Sequence, residues 1–294
     1  MAALCTIHYL PAKINTQIQL PSITTQKFHL RRSISIQFNR RIWYNFCCKN
    51  NEGHNQTGFS MLESNPPWES EDVWSTIGFY FFSLHIPMSF GGLSVVAHLL
   101  HQSDLEPQIK AIAILVIETV ELFCALLLLQ FTAKHKPVNF FQLGKMQRER
   151  NWMFTAVLGF ISLVLAMFFT ALIADKFDGI KGMSDQTVKE ILLSGSVAST
   201  ACTLVYCVIA PLLEEIVYRR FLLTSLAPSM EWYKAVMLSS VIFSAAHLSG
   251  ENFIQLVVVG MVLGCSYCWT GDLRSSIFLH SMYNALTLLL TVFA

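Results

Sequence analysis

Four stretches in the second half of this chain run the thickness of a lipid bilayer without one Asp, Glu, Lys or Arg. They are Trp152–Ala174 (23 residues), Ile191–Leu213 (23), Phe253–Thr270 (18) and Ser275–Ala294 (20). A hydrocarbon core of ~30 Å takes ~20 apolar helical residues to cross. Only a helix or a closed barrel satisfies its backbone groups there, and runs of 18 or more apolar residues read as helices rather than strands. Of the 294 residues, 53% are hydrophobic and 13% charged, about half the charge of a soluble domain. The predicted fold class is therefore all-α, a multi-pass transmembrane helical bundle of about seven spans.

The spans read as Trp74–Leu100, Ala111–Ala133, Trp152–Ala174, one within Ile191–Leu226, Tyr233–Leu248, Phe253–Thr270 and Ser275–Ala294. The first contains Pro87 and Gly91-Gly92, which a packed bundle tolerates. No fixed-period repeat and no inverted repeat of the transporter kind is visible. Residues 1–51 contain no acid but carry Lys13, Lys27, Arg31, Arg32, Arg40, Arg41 and Lys49 among scattered hydroxyls. That is a transit-peptide composition, without the apolar core of a secretory signal. The expected order is a transit peptide at 1–51, a polar linker at 52–73 and a membrane domain at 74–294. The expected location is a chloroplast membrane, with the mitochondrial inner membrane and the endoplasmic reticulum membrane as alternatives. The loop after the second span carries Lys134, Lys136, Lys145, Arg148 and Arg150 against Glu149 alone. By the positive-inside rule that loop faces the stroma, matrix or cytosol.

Net charge is +1, and no basic stripe interleaved with aromatics lies outside the N-terminus. The expected partners are membrane lipid and a protein or peptide substrate, with no nucleic acid. The eight cysteines form no disulfide framework. Cys265 and Cys268 have redox spacing, but in an apolar span cysteine acts as a small hydrophobe.

Between two apolar stretches stand Glu214, Glu215, Arg219 and Arg220. A charge at membrane depth costs ~2.5–3.5 kcal/mol on insertion scales, so it pairs or lines a wet cavity. Glu215 and Arg219 are i, i+4 in the favourable order. Glu214 is left without that partner, as a general base would be; a solvated loop at the membrane surface is the bland alternative. His247 lies near the end of the fifth span, and His280 and Asn284 share one helix face in the seventh. Counted from the turns at Pro228–Trp232 and Gly271-Asp272, Glu214 and His247 are ~21–23 Å deep and the other two ~12–18 Å. One carboxylate, two imidazoles and one carboxamide thus reach similar depth, the composition of a water-activating hydrolytic site. Glu118 and Glu121, i, i+3 in the second span, read either as cavity lining or as a structural hydrogen bond to another span.

Glu214-Glu215-Ile-Val-Tyr-Arg219, then Phe243-Ser-Ala-Ala-His247, then His280-Ser-Met-Tyr-Asn284 resembles the CAAX protease and bacteriocin-processing (CPBP, ABI) family, the type II CAAX prenyl endopeptidases. The resemblance covers about residues 200–291. It implies an endopeptidase in which Glu214 and His247 activate water while His280 and Asn284 stabilise the oxyanion. Imidazole and carboxamide can donate to an oxyanion and a carboxylate cannot. Glu215 and Arg219 are expected to support the site. Tyr218 stands where the family often has Phe, and seven spans are counted where its eukaryotic members have eight. No cofactor is expected; zinc on Glu214, His247 and His280 is the alternative. Two rival functions remain: a catalytically idle scaffold on the same fold that stabilises organellar membrane proteins, and a small proton-coupled transporter.

Overall fold

The computed structural model of the protein describes residues 59–62, 66–102, 104–133, 150–176, 186–250 and 252–293. The expected transit peptide, the basic loop at 134–149 and the loop at 177–185 lie outside the described residues. Eight helices follow in order: α1 Val73–Leu99, α2 Pro107–Thr132, α3 Trp152–Lys176, α4 Gln186–Leu193, α5 Ser196–Leu226, α6 Trp232–Ala246, α7 Phe253–Thr270 and α8 Leu273–Phe293. There is no strand among the described residues. Six of the eight are long and apolar enough to cross a membrane: α1, α2, α3, α5, α7 and α8.

The seventh apolar segment, α6, is shorter than its sequence range suggests. It has 15 residues and stops at Ala246, so it is ~22 Å long against a core of ~30 Å. Leu248, just beyond it, has φ +49°, a left-handed conformation that a bulky residue adopts rarely and that ends the helix. The α6 terminus therefore lies at membrane depth, with His247 on it.

Polarity is arranged for lipid rather than water. Along α3, Phe154, Leu158, Ile161, Leu165 and Phe168 are exposed, a continuous apolar face suited to acyl chains. Arg219, Glu215 and Glu121 are fully buried instead. Helices α6 and α7 pack closely because α7 carries Gly260 and Gly264 on one face. A Cβ on Gly260 would meet the Ser240 Cβ at 2.9 Å and its Cα at 3.1 Å, the close approach small residues permit in membranes. Gly271, with φ +63°, ends α7, and Asp272 opens α8 by accepting from the Arg274 amide at 3.0 Å. This tight turn fixes where α8 returns into the bundle.

Candidate active site

Helix α5 supplies the carboxylates, and its path is set by a proline. Residues Val205–Ile209 form a wide π-type turn in which the Ala210 amide reaches Val205 O. The next bond in that register would run from residue 211 to Tyr206 O, but residue 211 is proline and has no N–H. The released carbonyl accepts instead from Asn284 Nδ2 at 2.8 Å. A second wide turn covers Glu215–Leu223; such turns recur at functional sites.

Glu214 lies between two imidazoles. Its Oε1 is 3.8 Å from His247 Nε2, and its Oε2 is 3.7 Å from His280 Nε2. Both gaps are too long for direct hydrogen bonds, and Oε2 is buried without a hydrogen-bond partner. At separations of this size a water can contact both groups only from beside the pair, not between them. His247 Nδ1 faces Phe243 O at 2.8 Å. A carbonyl can only accept, so that nitrogen carries the proton and Nε2 presents its lone pair toward Glu214. His280 Nδ1 donates to Glu215 Oε1 at 3.0 Å.

Glu215 has a second partner, Arg219, whose Nε lies 3.3 Å from its Oε2. That i, i+4 pair is the one its spacing suggested. The contact to His280 is not legible in α5 alone, because it crosses 65 positions of chain. Glu215 is thus more than an anchor for a guanidinium: it orients a site imidazole. Arg219 also reaches Gly260 O at 3.4 Å and lies 4.4 Å over the Phe243 ring. The Phe243 ring in turn lies tilted against His247 (4.6 Å) and edge-on to Tyr218 (5.4 Å) and His280 (6.1 Å). This aromatic holds the residues in register and accounts for the Phe four positions before His247. The Tyr218 hydroxyl is buried with no hydrogen-bond partner, a group for a bound substrate or water to satisfy.

Glu121 follows the bland reading of the second span. It accepts from Tyr80 at 2.9 Å, His85 at 2.9 Å and Ser89 at 3.3 Å, all on α1. Sequence reasoning passed over His85; its one signal was an imidazole in the middle of an apolar span with Ser89 four residues on. Cys265 and Cys268 are free thiols. Among the described residues, no group of three His, Cys, Asp or Glu side chains is arranged to hold a metal ion.

A bundle of apolar helices enclosing carboxylates and imidazoles defines a multi-pass membrane protein with a buried polar cluster between its helices. Within that class, residues 196–286 match the family described as "Type II CAAX prenyl endopeptidase Rce1-like", a segment that includes Glu214, Glu215, His247, His280 and Asn284. The chain is 25% identical over 210 residues to the protein of Bacillus subtilis (strain 168) named "Putative membrane peptidase YdiL", covering 70% of this chain and 81% of that one. No solved structure matches the chain.

Proposed function

We propose that this protein is an intramembrane glutamate-type endopeptidase acting on membrane-associated proteins. The observation that carries the reading is the Glu214 carboxylate spaced 3.8 and 3.7 Å from two imidazole nitrogens, with one oxygen unpartnered. A water beside Glu214 and His247 donates to the carboxylate and to Nε2, both acceptors. Its oxygen attacks the scissile carbonyl and its proton passes to the pair. The oxyanion is met by the second N–H of Asn284, the first being held by Tyr206 O, and by His280. For Nε2 to donate, His280 must carry a hydrogen on each nitrogen, and Glu215 accepts the one on Nδ1. The tetrahedral adduct then collapses, and the proton held by the pair goes to the departing amine. The similarity to the prenyl endopeptidase family and to the named bacterial peptidase supports this kind of reaction.

The acid-free N-terminus favours a chloroplast membrane; a full-length fluorescent fusion tests that, and with it whether prenylated CAAX proteins are within reach. Activity is tested with purified protein in lipid nanodiscs. Glu214→Gln should lower turnover ~10²–10⁴-fold at unchanged folded yield, and strong chelators should leave the wild type active. Loss in chelator with recovery on adding Zn²⁺ would assign zinc to Glu214, His247 and His280. A Glu214→Gln protein that still binds and stabilises its partners, beside a wild type that cleaves nothing, would favour the scaffold.

A further inference from the structure

The end of α6 poses a problem that two other helices solve. A helix terminus leaves its last carbonyls unpaired, and inside a membrane bundle other helices must meet most of them. His247 Nδ1 takes Phe243 O at 2.8 Å. Ala246 O is taken from outside, by His85 Nε2 of α1 at 3.3 Å.

His85 is itself held. Its Nδ1 faces Glu121 Oε1 at 2.9 Å. Both of its partners are acceptors, so it donates from each nitrogen, to the carboxylate and to the carbonyl. The Tyr80 and Ser89 hydroxyls fix the same carboxylate at 2.9 and 3.3 Å, and Glu121 is wholly buried. One side chain, His85, thus reaches the carbonyl of the residue just before His247, and Tyr80, Ser89 and Glu121 stand behind it. The next residue but one, Leu248, has φ +49°, and such a backbone persists where its surroundings over-determine it.

We propose that His85, oriented by Glu121, is a positioning residue for the water-activating pair: it caps α6 at Ala246 and so sets where His247 presents Nε2 to Glu214. This presupposes that Glu214 and His247 activate the water. The two groups, 3.8 Å apart, have to share one molecule seated beside them, and a displacement of ~1 Å at such a place costs ~10²-fold in rate.

The test uses the full chain in nanodiscs with His85→Ala, His85→Gln and Glu214→Gln. His85→Ala should lower kcat per folded molecule ~10²-fold with KM within about threefold, the split expected when substrate binding is untouched. Amide exchange at His247 and Leu248, followed by mass spectrometry, should quicken about tenfold. His85→Gln puts an amide N–H near the place of Nε2 and should restore most of both. The positioning role is overturned by unchanged exchange in His85→Ala, by a Gln variant as impaired as the Ala one, or by a loss confined to folded yield. Glu214→Gln should abolish turnover and leave exchange at 247–248 as in wild type. If the wild type shows no Glu214-dependent turnover while His85→Ala still loosens those amides, the cap stands and the positioning role falls together with the functional reading.

Discussion

Glu214 and Glu215 are neighbours in sequence with opposite circumstances. Glu215 has no accessible surface and is engaged on both oxygens, by His280 and by Arg219. Glu214 keeps 16% of its side chain exposed and makes no contact closer than 3.7 Å to either imidazole. About 100° of helix rotation separates adjacent side chains, so one carboxylate turns into the protein and the other into the gap. Glu215→Gln should therefore do two things. It strands a buried guanidinium, and breaking such a pair costs ~3–5 kcal/mol, visible as a lower Tm in detergent. It also removes the carboxylate that orients His280 through Nδ1, so kcat per folded molecule should fall as well, ~10-fold or more. A folded Glu215→Gln protein turning over at the wild-type rate would show that His280 does not depend on Glu215.

At the scale of elements, the site depends on how closely α6 approaches α7. Gly260 lies where α7 meets Ser240 backbone, and its carbonyl accepts from Arg219. Gly264 lies one turn on, where an added Cβ would meet the Val236 methyl Cγ1 at 3.0 Å. Backbone cannot step aside and a side-chain methyl can. Gly260→Ala should cost ~1–3 kcal/mol by overpacking, and Gly264→Ala markedly less. Thermal unfolding of the two variants side by side checks this, and equal losses would mean the helices part freely. The shortness of α6 belongs to the same scale. Its 15 residues end at Ala246, just before His247, because the chain turns left-handed at Leu248, which leaves the imidazole inside the bundle rather than at its surface.

For the whole molecule, the stretch before α1 matters more than its polar composition suggests. Phe59 stacks on Trp232 at 4.2 Å, and the Met61 amide donates to Cys268 O at 2.8 Å. Trp68 is buried, donates to Leu129 O at 3.2 Å and meets the Phe221 ring edge-on. Arg150 donates to Phe59 O at 2.7 Å and to Trp269 O at 2.8 Å. The described part of this segment thus straps one end of the bundle, across the α5–α6 and α7–α8 turns. Trp68→Ala should lower stability by ~3–5 kcal/mol, read as a fall in Tm, with kcat of the folded fraction within a few-fold of wild type. A selective loss of turnover at unchanged Tm would instead link the strap to the site.

Span positions were largely legible because a bilayer imposes a length and a composition on every segment that crosses it, but the charge-free run Ile191–Leu213 is broken at Ser194-Gly195 and the span there is the charge-bearing Ser196–Leu226. The pairing of Glu215 with Arg219 was legible because helical spacing is a property of one segment. The candidate site residues stand out in the sequence as an ordered pattern of exceptional polar groups in apolar helices. What the sequence could not show depends on contacts between helices. His280 on Glu215, Asn284 on the carbonyl freed by Pro211, and His85 on Ala246 O each join positions 65 or more residues apart. No periodicity encodes such contacts. They exist because the buried donors and acceptors of a membrane bundle have little water to turn to, and which of them meet is decided by how the helices pack.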